Sequence, residues 1–195
     1  MIRILKTVCR LIIGFIFCSS GTVLAVNSNL GLSPWDVFHQ GLSKITGISM
    51  GQVSIFVGLI VVIATIFLKL EIGLGTIANM ILIGVFMDVI SYTKIIPTSH
   101  NFFVSLLMLL GSLFTMAIGS YLYIGCEMGC GPRDGLMVAL VKKTGKPVGF
   151  IRSCIELGVL VIGFMLGGSV GIGTLITVFG VPWGVYPIGV QSLKI

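Results

Sequence analysis

Gly31-Leu32-Ser33-Pro34-Trp35-Asp36 and Gly129-Cys130-Gly131-Pro132-Arg133-Asp134 are two copies of one Gly-x-x-Pro-x-Asp phrase, 98 positions apart without a gap. The likeness continues downstream. Leu42, Lys44, Thr46, Gly47 and Gly51 fall on Leu140, Lys142, Thr144, Gly145 and Gly149, and Gly73-Leu74-Gly75-Thr76 falls on Gly171-Ile172-Gly173-Thr174. Residues 31–76 and 129–174 share 14 identities in 46 positions. Chance in so apolar and glycine-rich a chain supplies about four or five. Self-similarity at a fixed offset is the mark of a duplicated architecture, so both halves are read with one template.

The chain around the two copies is that of a membrane protein. Of 195 residues 56% are hydrophobic and only 9% charged, with 12 basic against 6 acidic side chains and a mean hydropathy of +1.15. Soluble domains carry roughly a quarter charged residues, so a soluble globular fold is excluded. Disorder and a disulfide scaffold are excluded as well, the latter because five cysteines are too few. A spanning helix needs about 20 mostly apolar residues. The apolar stretches Leu11 to Val26, Gln52 to Leu68, Gly75 to Ile90, Phe102 to Ile124, Val148 to Leu166 and Ile172 to Val190 predict six spans. The predicted fold is an all-α polytopic membrane protein, one membrane domain over 1–195. Its first repeat covers about 8–92, a linker 93–101, and its second repeat about 102–190.

Each half reads as a long span, the Gly-x-x-Pro-x-Asp break, a short helix, a Thr-Gly turn and two further spans joined by Gly-x-Gly-Thr. Three crossings per half is odd, so the second repeat is expected inverted relative to the first. With the N-terminus inside, Arg3, Lys6, Arg10, Lys69, Arg133, Lys142, Lys143, Lys146, Arg152 and Lys194 collect on the inner side, and Lys44 and Lys94 on the outer. Ten against two follows the positive-inside rule and puts both termini in the cytoplasm. If the short segments Trp35 to Ile45 and Gly135 to Val141 also crossed, the repeats would be parallel with a similar charge bias. Eleven helical residues rise only about 16 Å, half of a hydrocarbon core. Trp35, Phe38, Leu42 and Ile45 share one face, as on an interfacial helix. The more apolar second copy leaves a re-entrant segment open. Arg3, Lys6 and Arg10 before an apolar run ending at Leu24-Ala25-Val26 also mimic a signal peptide, but the run is read as the first span because the segment after it supplies no soluble domain to export and the run has an internal counterpart.

The phrase at 31–42, Thr46-Gly47-Ile48-Ser49-Met50-Gly51, and Gly73-Leu74-Gly75-Thr76 resemble the bacterial YczE/YitT-like integral membrane proteins. Gly131-Pro132-Arg133-Asp134-Gly135-Leu136 and Val170-Gly171-Ile172-Gly173-Thr174 carry the same resemblance, which extends over roughly residues 10–190. It implies a multi-pass protein of the bacterial inner membrane and transfers no catalytic residues.

Ionisable groups inside a bilayer mark a pathway, a binding site or an internal pair. Asp36 and Asp134 follow a helix-starting proline, where a carboxylate either caps the first turn or binds a cation, proton or amine. Arg152 and Glu156 stand four apart on one helix face. Their counterparts are Ser54 and Gly58, so the pair is an asymmetric addition that serves either a site or packing. Asp88 reads as an interfacial carboxylate or a proton-coupling one. Thr76 and Thr174 cap helices after the Gly-x-Gly turns. Asn79, with a last span expected to break at Gly180, Pro182, Gly184, Pro187 and Gly189, places a central site where freed backbone is covered; the alternative is a kinked helix packed closely against its neighbours through glycine. The lone His39 and His100 lack metal-ligand spacing. Cys126 and Cys130 would share a face if their stretch were helical, and they read as packing residues on the reducing side.

These features favour a small secondary transporter or permease of unknown substrate. Arg152, Glu156, Asn79, Thr76 and Thr174 would contact a small molecule or ion, and Asp36, Asp134 or Asp88 would couple protons. The alternative is a non-transporting regulatory or assembly module, or the substrate-capturing subunit of a larger transporter. An enzyme is not expected, since no nucleophile and base stand at catalytic spacing. Neither a metal nor a cofactor is expected, as no phosphate loop follows the glycines. The lipid bilayer is the expected partner, with a homo-oligomer or a membrane partner besides, and no nucleic acid.

Overall fold

The computed structural model describes residues 2–70 and 72–184. These form eight α-helices: α1 (Ile2–Asn27), α2 (Pro34–Thr46), α3 (Met50–Phe67), α4 (Leu74–Thr93), α5 (Phe102–Ile124), α6 (Pro132–Thr144), α7 (Val148–Met165) and α8 (Ile172–Gly184). Five of them, α1, α3, α4, α5 and α7, are long and apolar enough to cross a membrane. The sixth expected span begins at Ile172 as read, and its stretch beyond Gly184 lies outside the described residues.

The duplication is carried into the elements. Pro34 and Pro132, Met50 and Val148, and Leu74 and Ile172 open equivalent helices, each pair 98 positions apart. Proline at the first helical position starts α2 and α6, because its fixed φ suits the helix and its missing N–H would be unpaired there anyway. Gly47 and Gly145 end them in the left-handed region, with φ of 73° and 67°. Both short helices have 13 residues and rise about 20 Å, less than a bilayer core.

The two halves interlock rather than sit side by side. Helix α1 packs along α5, α2 crosses α7, and α6 lies on α3. Each Gly-x-x-Pro-x-Asp loop docks on the Gly-x-Gly-Thr turn of the other half: the Gly173 N–H donates to the Leu30 carbonyl (2.7 Å) and the Gly75 N–H to the Met128 carbonyl (2.8 Å). Gly31 and Gly129, with φ of 109° and 117°, make this approach possible. A side chain there would be strained and would meet backbone of the opposing turn.

Several expectations need correction. The second short helix starts three residues before Gly135 and runs to Thr144, because Pro132, Arg133 and Asp134 form its first turn. Trp35 of the α2 apolar face packs on Val53, Val57 and Val61 of α3, with Phe38 and Leu42 against the same cluster, so protein covers most of the face read as interfacial. Helix α8 continues through Gly180 and Pro182 to Gly184 without the expected breaks, while Pro187 and Gly189 lie outside the described residues. Cys126 and Cys130 do not share a helix face: α5 ends at Ile124, and Glu127 between them turns at φ 54°.

Outward faces are apolar throughout. Phe67, Phe103, Leu107, Phe114 and Leu157 are exposed, and the most apolar stretch of α7 is only 11% buried. Surfaces of this kind require lipid or another apolar partner. Polar atoms inside are paired: among the described residues no buried side-chain nitrogen or oxygen lacks a hydrogen bond.

Candidate functional site

The first turns of α2 and α6, one from each half, open onto one shared cavity of about 260 Å³. Its walls come from α1, α3, α4, α5, α7 and α8 as well, and most lining residues occur as pairs related by the 98-residue offset. Thr22 and Ser120, Pro34 and Pro132, Asp36 and Asp134, and Asn79 and Thr177 are such pairs. At three of the pairs the second half introduces charge. Trp35 is matched by Arg133, Ser54 by Arg152 and Gly58 by Glu156, all six on the cavity wall.

Asp36 is built in by local sequence. The Ser33 hydroxyl donates to Asp36 Oδ2 (2.6 Å) and accepts from the Asp36 N–H (3.4 Å), so serine cap and acidic third residue satisfy each other. The other oxygen, Oδ1, lies 3.6 Å from Arg133 Nη2 and 3.9 Å from His39 Nδ1. Arg133 Nη2 is also 3.4 Å from His39 Nδ1, and its guanidinium carbon stands 5.1 Å from the centre of the Trp35 ring. Asp134 has no capping serine, because Gly131 replaces it. It accepts instead from the Tyr123 hydroxyl of α5 at 3.4 Å. On α7 the Arg152 Nε donates to Glu156 Oε1 at 2.7 Å, the geometry expected one helical turn apart.

Electrostatically the cavity holds two guanidinium groups, three carboxylates and two helix N-termini, each of the latter worth about half a positive charge. The balance is near neutral with cationic and anionic handles at separate points. The volume falls just under the roughly 300–1,000 Å³ of pockets that hold drug-sized ligands, which suits a small polar solute. Among the described residues no three His, Cys, Asp or Glu side chains gather as metal ligands.

Of the residues singled out from sequence, Arg152, Glu156, Asn79, Asp36 and Asp134 line this cavity. Thr76 and Thr174 do not. They sit at the two loop crossings, where Thr76 Oγ1 donates to the Cys130 carbonyl (2.6 Å) and Thr174 Oγ1 accepts from the Gly171 N–H (3.2 Å). Asp88 is elsewhere too: it accepts from the Ser49 hydroxyl and the Gly51 N–H (2.9 Å), tying α4 to the N-terminus of α3. Arg133 and Arg152 were counted with the inner loops but belong to the cavity, which leaves eight inner basic residues against two. Three further cavity groups were given no site role in sequence: Tyr123 was not singled out, His39 was weighed only as a metal ligand, and Arg133 only as an inner-side charge. The signal for Arg133 was its place opposite Trp35 in the duplication. Outside the cavity, burial raises the pKa of the Cys126 thiol, partly offset by Arg10, so it is uncharged at neutral pH and donates weakly to the Leu122 carbonyl.

Comparison with known proteins agrees with a membrane protein. A family model described as a family of unknown function, DUF6198, matches residues 5–185. The chain is 35% identical over 171 residues to an uncharacterised protein of Haemophilus influenzae, covering 88% of this chain and 78% of the relative. It is 35% identical over 166 residues to the uncharacterised membrane protein YczE of Bacillus subtilis, covering 84% and 76%, and 30% identical over 169 residues to the uncharacterised YyaS of the same organism, covering 85% and 84%. No solved structure matches the chain at a significant level.

Proposed function

The chain belongs to the DUF6198 family, and we propose that it is a small secondary transporter of the bacterial inner membrane. Its solute binds in the central cavity and leaves chemically unchanged. The observation that carries this reading is the convergence of the α2 and α6 first turns, from opposite halves, on one cavity lined by Asp36, Arg133, Asp134, Arg152 and Glu156. Charges at this depth are costly in a membrane protein and are retained where a solute or ion path needs them. Discontinuous helices whose N-termini face a central site are the recurrent device of transporters built from inverted repeats.

In this reading the two halves lie inverted, with the N-terminus and the α6 end of the molecule cytoplasmic and the linker between Thr93 and Phe102 outside. The eight basic residues that remain on the inner side against Lys44 and Lys94 support that orientation. Alternating access follows from near-equivalence of the halves: the loop crossings at Gly31 and Gly129 act as matching hinges, opening the cavity to one side or the other. Arg152 and Glu156 supply the asymmetric contacts that select the solute.

The test is flux in proteoliposomes, read for a panel of labelled amino acids, small carboxylates and amines. At least one solute should accumulate with the unmodified protein, and Glu156→Gln should reduce its uptake at least tenfold by leaving the Arg152 guanidinium with a weaker partner. Flat traces for the whole panel together with a stoichiometric co-purifying membrane protein would contradict transport and favour the module alternative.

A further inference from the structure

Three side chains of α2 are arranged around one position that a side chain of the other half fills. On α2, the Asp36 carboxylate, the Trp35 ring and the His39 imidazole converge around one position, and all three side chains are buried. The group that occupies it is the guanidinium of Arg133, which comes from α6 in the other half. The three contacts are those that select a cation: a carboxylate for charge, an aromatic face for its quadrupole, and a ring nitrogen able to accept a hydrogen bond.

Two features separate this arrangement from a structural ion pair. The Arg133 to Asp36 separation of 3.6 Å is longer than the direct bond of the Arg152 and Glu156 pair at 2.7 Å. Arg133 also keeps 38% of its side chain exposed, whereas the carboxylate beneath it keeps 4%. The carboxylate is enclosed beneath an occupant that itself stays partly exposed. The duplication adds a second argument, because Arg133 stands at the position equivalent to the aromatic ring on which it rests. The contact therefore joins the two halves at the point where their first turns face each other.

Building on the transport reading of this cavity, we propose that the transported solute carries a guanidinium or ammonium group, and that it binds by displacing Arg133 from Trp35, Asp36 and His39. Displacement breaks the bridge between α2 and α6. Occupancy is thereby linked to relative movement of the halves, and an empty carrier stays closed because its own arginine substitutes for the solute.

Thermal unfolding of the purified full-length chain in mild detergent, with methylguanidinium as the probe and sodium chloride as the matched control, tests the receptor without any flux. Arg133→Ala empties the position, so low-millimolar methylguanidinium should raise its melting temperature saturably by several degrees. The unmodified protein should need at least tenfold more probe, and Arg133→Ala combined with Asp36→Asn should not respond. Arg133→Gln gives the same comparison if the alanine variant does not fold. If neither variant folds, competition is read on the unmodified protein against Asp36→Asn alone, and equal responses there overturn the proposal. An unresponsive Arg133→Ala, or an equal response in the double variant, overturns it too. Saturable binding without flux of any amine would keep the receptor and remove transport, whereas flux confined to anions, with no methylguanidinium response, would do the reverse.

Discussion

Asp36 shows how one residue serves two ends. Its backbone and one carboxylate oxygen complete the cap with Ser33, which leaves the second oxygen directed at Arg133 and His39. Capping and binding, alternatives at the level of sequence, are divided between two atoms of the same group. Ser33→Ala removes the cap and should lower stability by about 1 kcal/mol, read as a fall in melting temperature. Because the freed carboxylate then loses its fixed rotamer, the methylguanidinium response of Arg133→Ala should also weaken in that background. Sequence made Asp36, Asp134, Asn79, Arg152 and Glu156 visible because each is polar within an apolar run. It hid His39 and Tyr123, whose importance lies in neighbours contributed by other helices: Arg133 and Asp134, which are 94 and 11 positions away. Arg133 was concealed differently, since a charge near a loop is ordinarily a topological signal.

At the scale of elements, the short helices are the informative parts. Helix α2 was legible because proline opens it, Thr46-Gly47 closes it and its apolar residues share a face. The proline signal at Pro132 also marks the start of α6, but its first turn, with the polar Arg133 and Asp134, was left out of the apolar segment counted from Gly135. Helix α8 runs on through Gly180 and Pro182, since membrane helices tolerate glycine and proline without ending. Close packing explains Gly163 on α7, where an added carbon would press on the backbone of Val37 and Phe38 of α2. Gly163→Leu should cost at least about 1–3 kcal/mol, the range for overpacking, and should perturb the cavity through α2. Gly111→Leu on α5, where an added carbon meets nothing within 4 Å, should leave the melting temperature within about 2 °C. Equal losses in both variants would mean that α2 is not seated on α7 as described.

For the whole molecule, the decisive regularity is the 98-residue offset, which sets the equivalent helix starts, the paired loop crossings and the paired residues of the cavity wall. The sequence revealed this regularity before any contact was known, because glycines and prolines are constrained locally by backbone geometry. It did not reveal the interlocking of α2 with α7 and α6 with α3, which depends on shape between distant segments. The account stands on the two halves being inverted around that shared cavity. Its most direct test is Lys94→Cys and, separately, Lys143→Cys in a cysteine-free background, with a membrane-impermeant maleimide applied to intact cells and then to lysed ones. The inverted arrangement predicts labelling of position 94 on intact cells and of position 143 only after lysis. Protection of position 94 until lysis would contradict it.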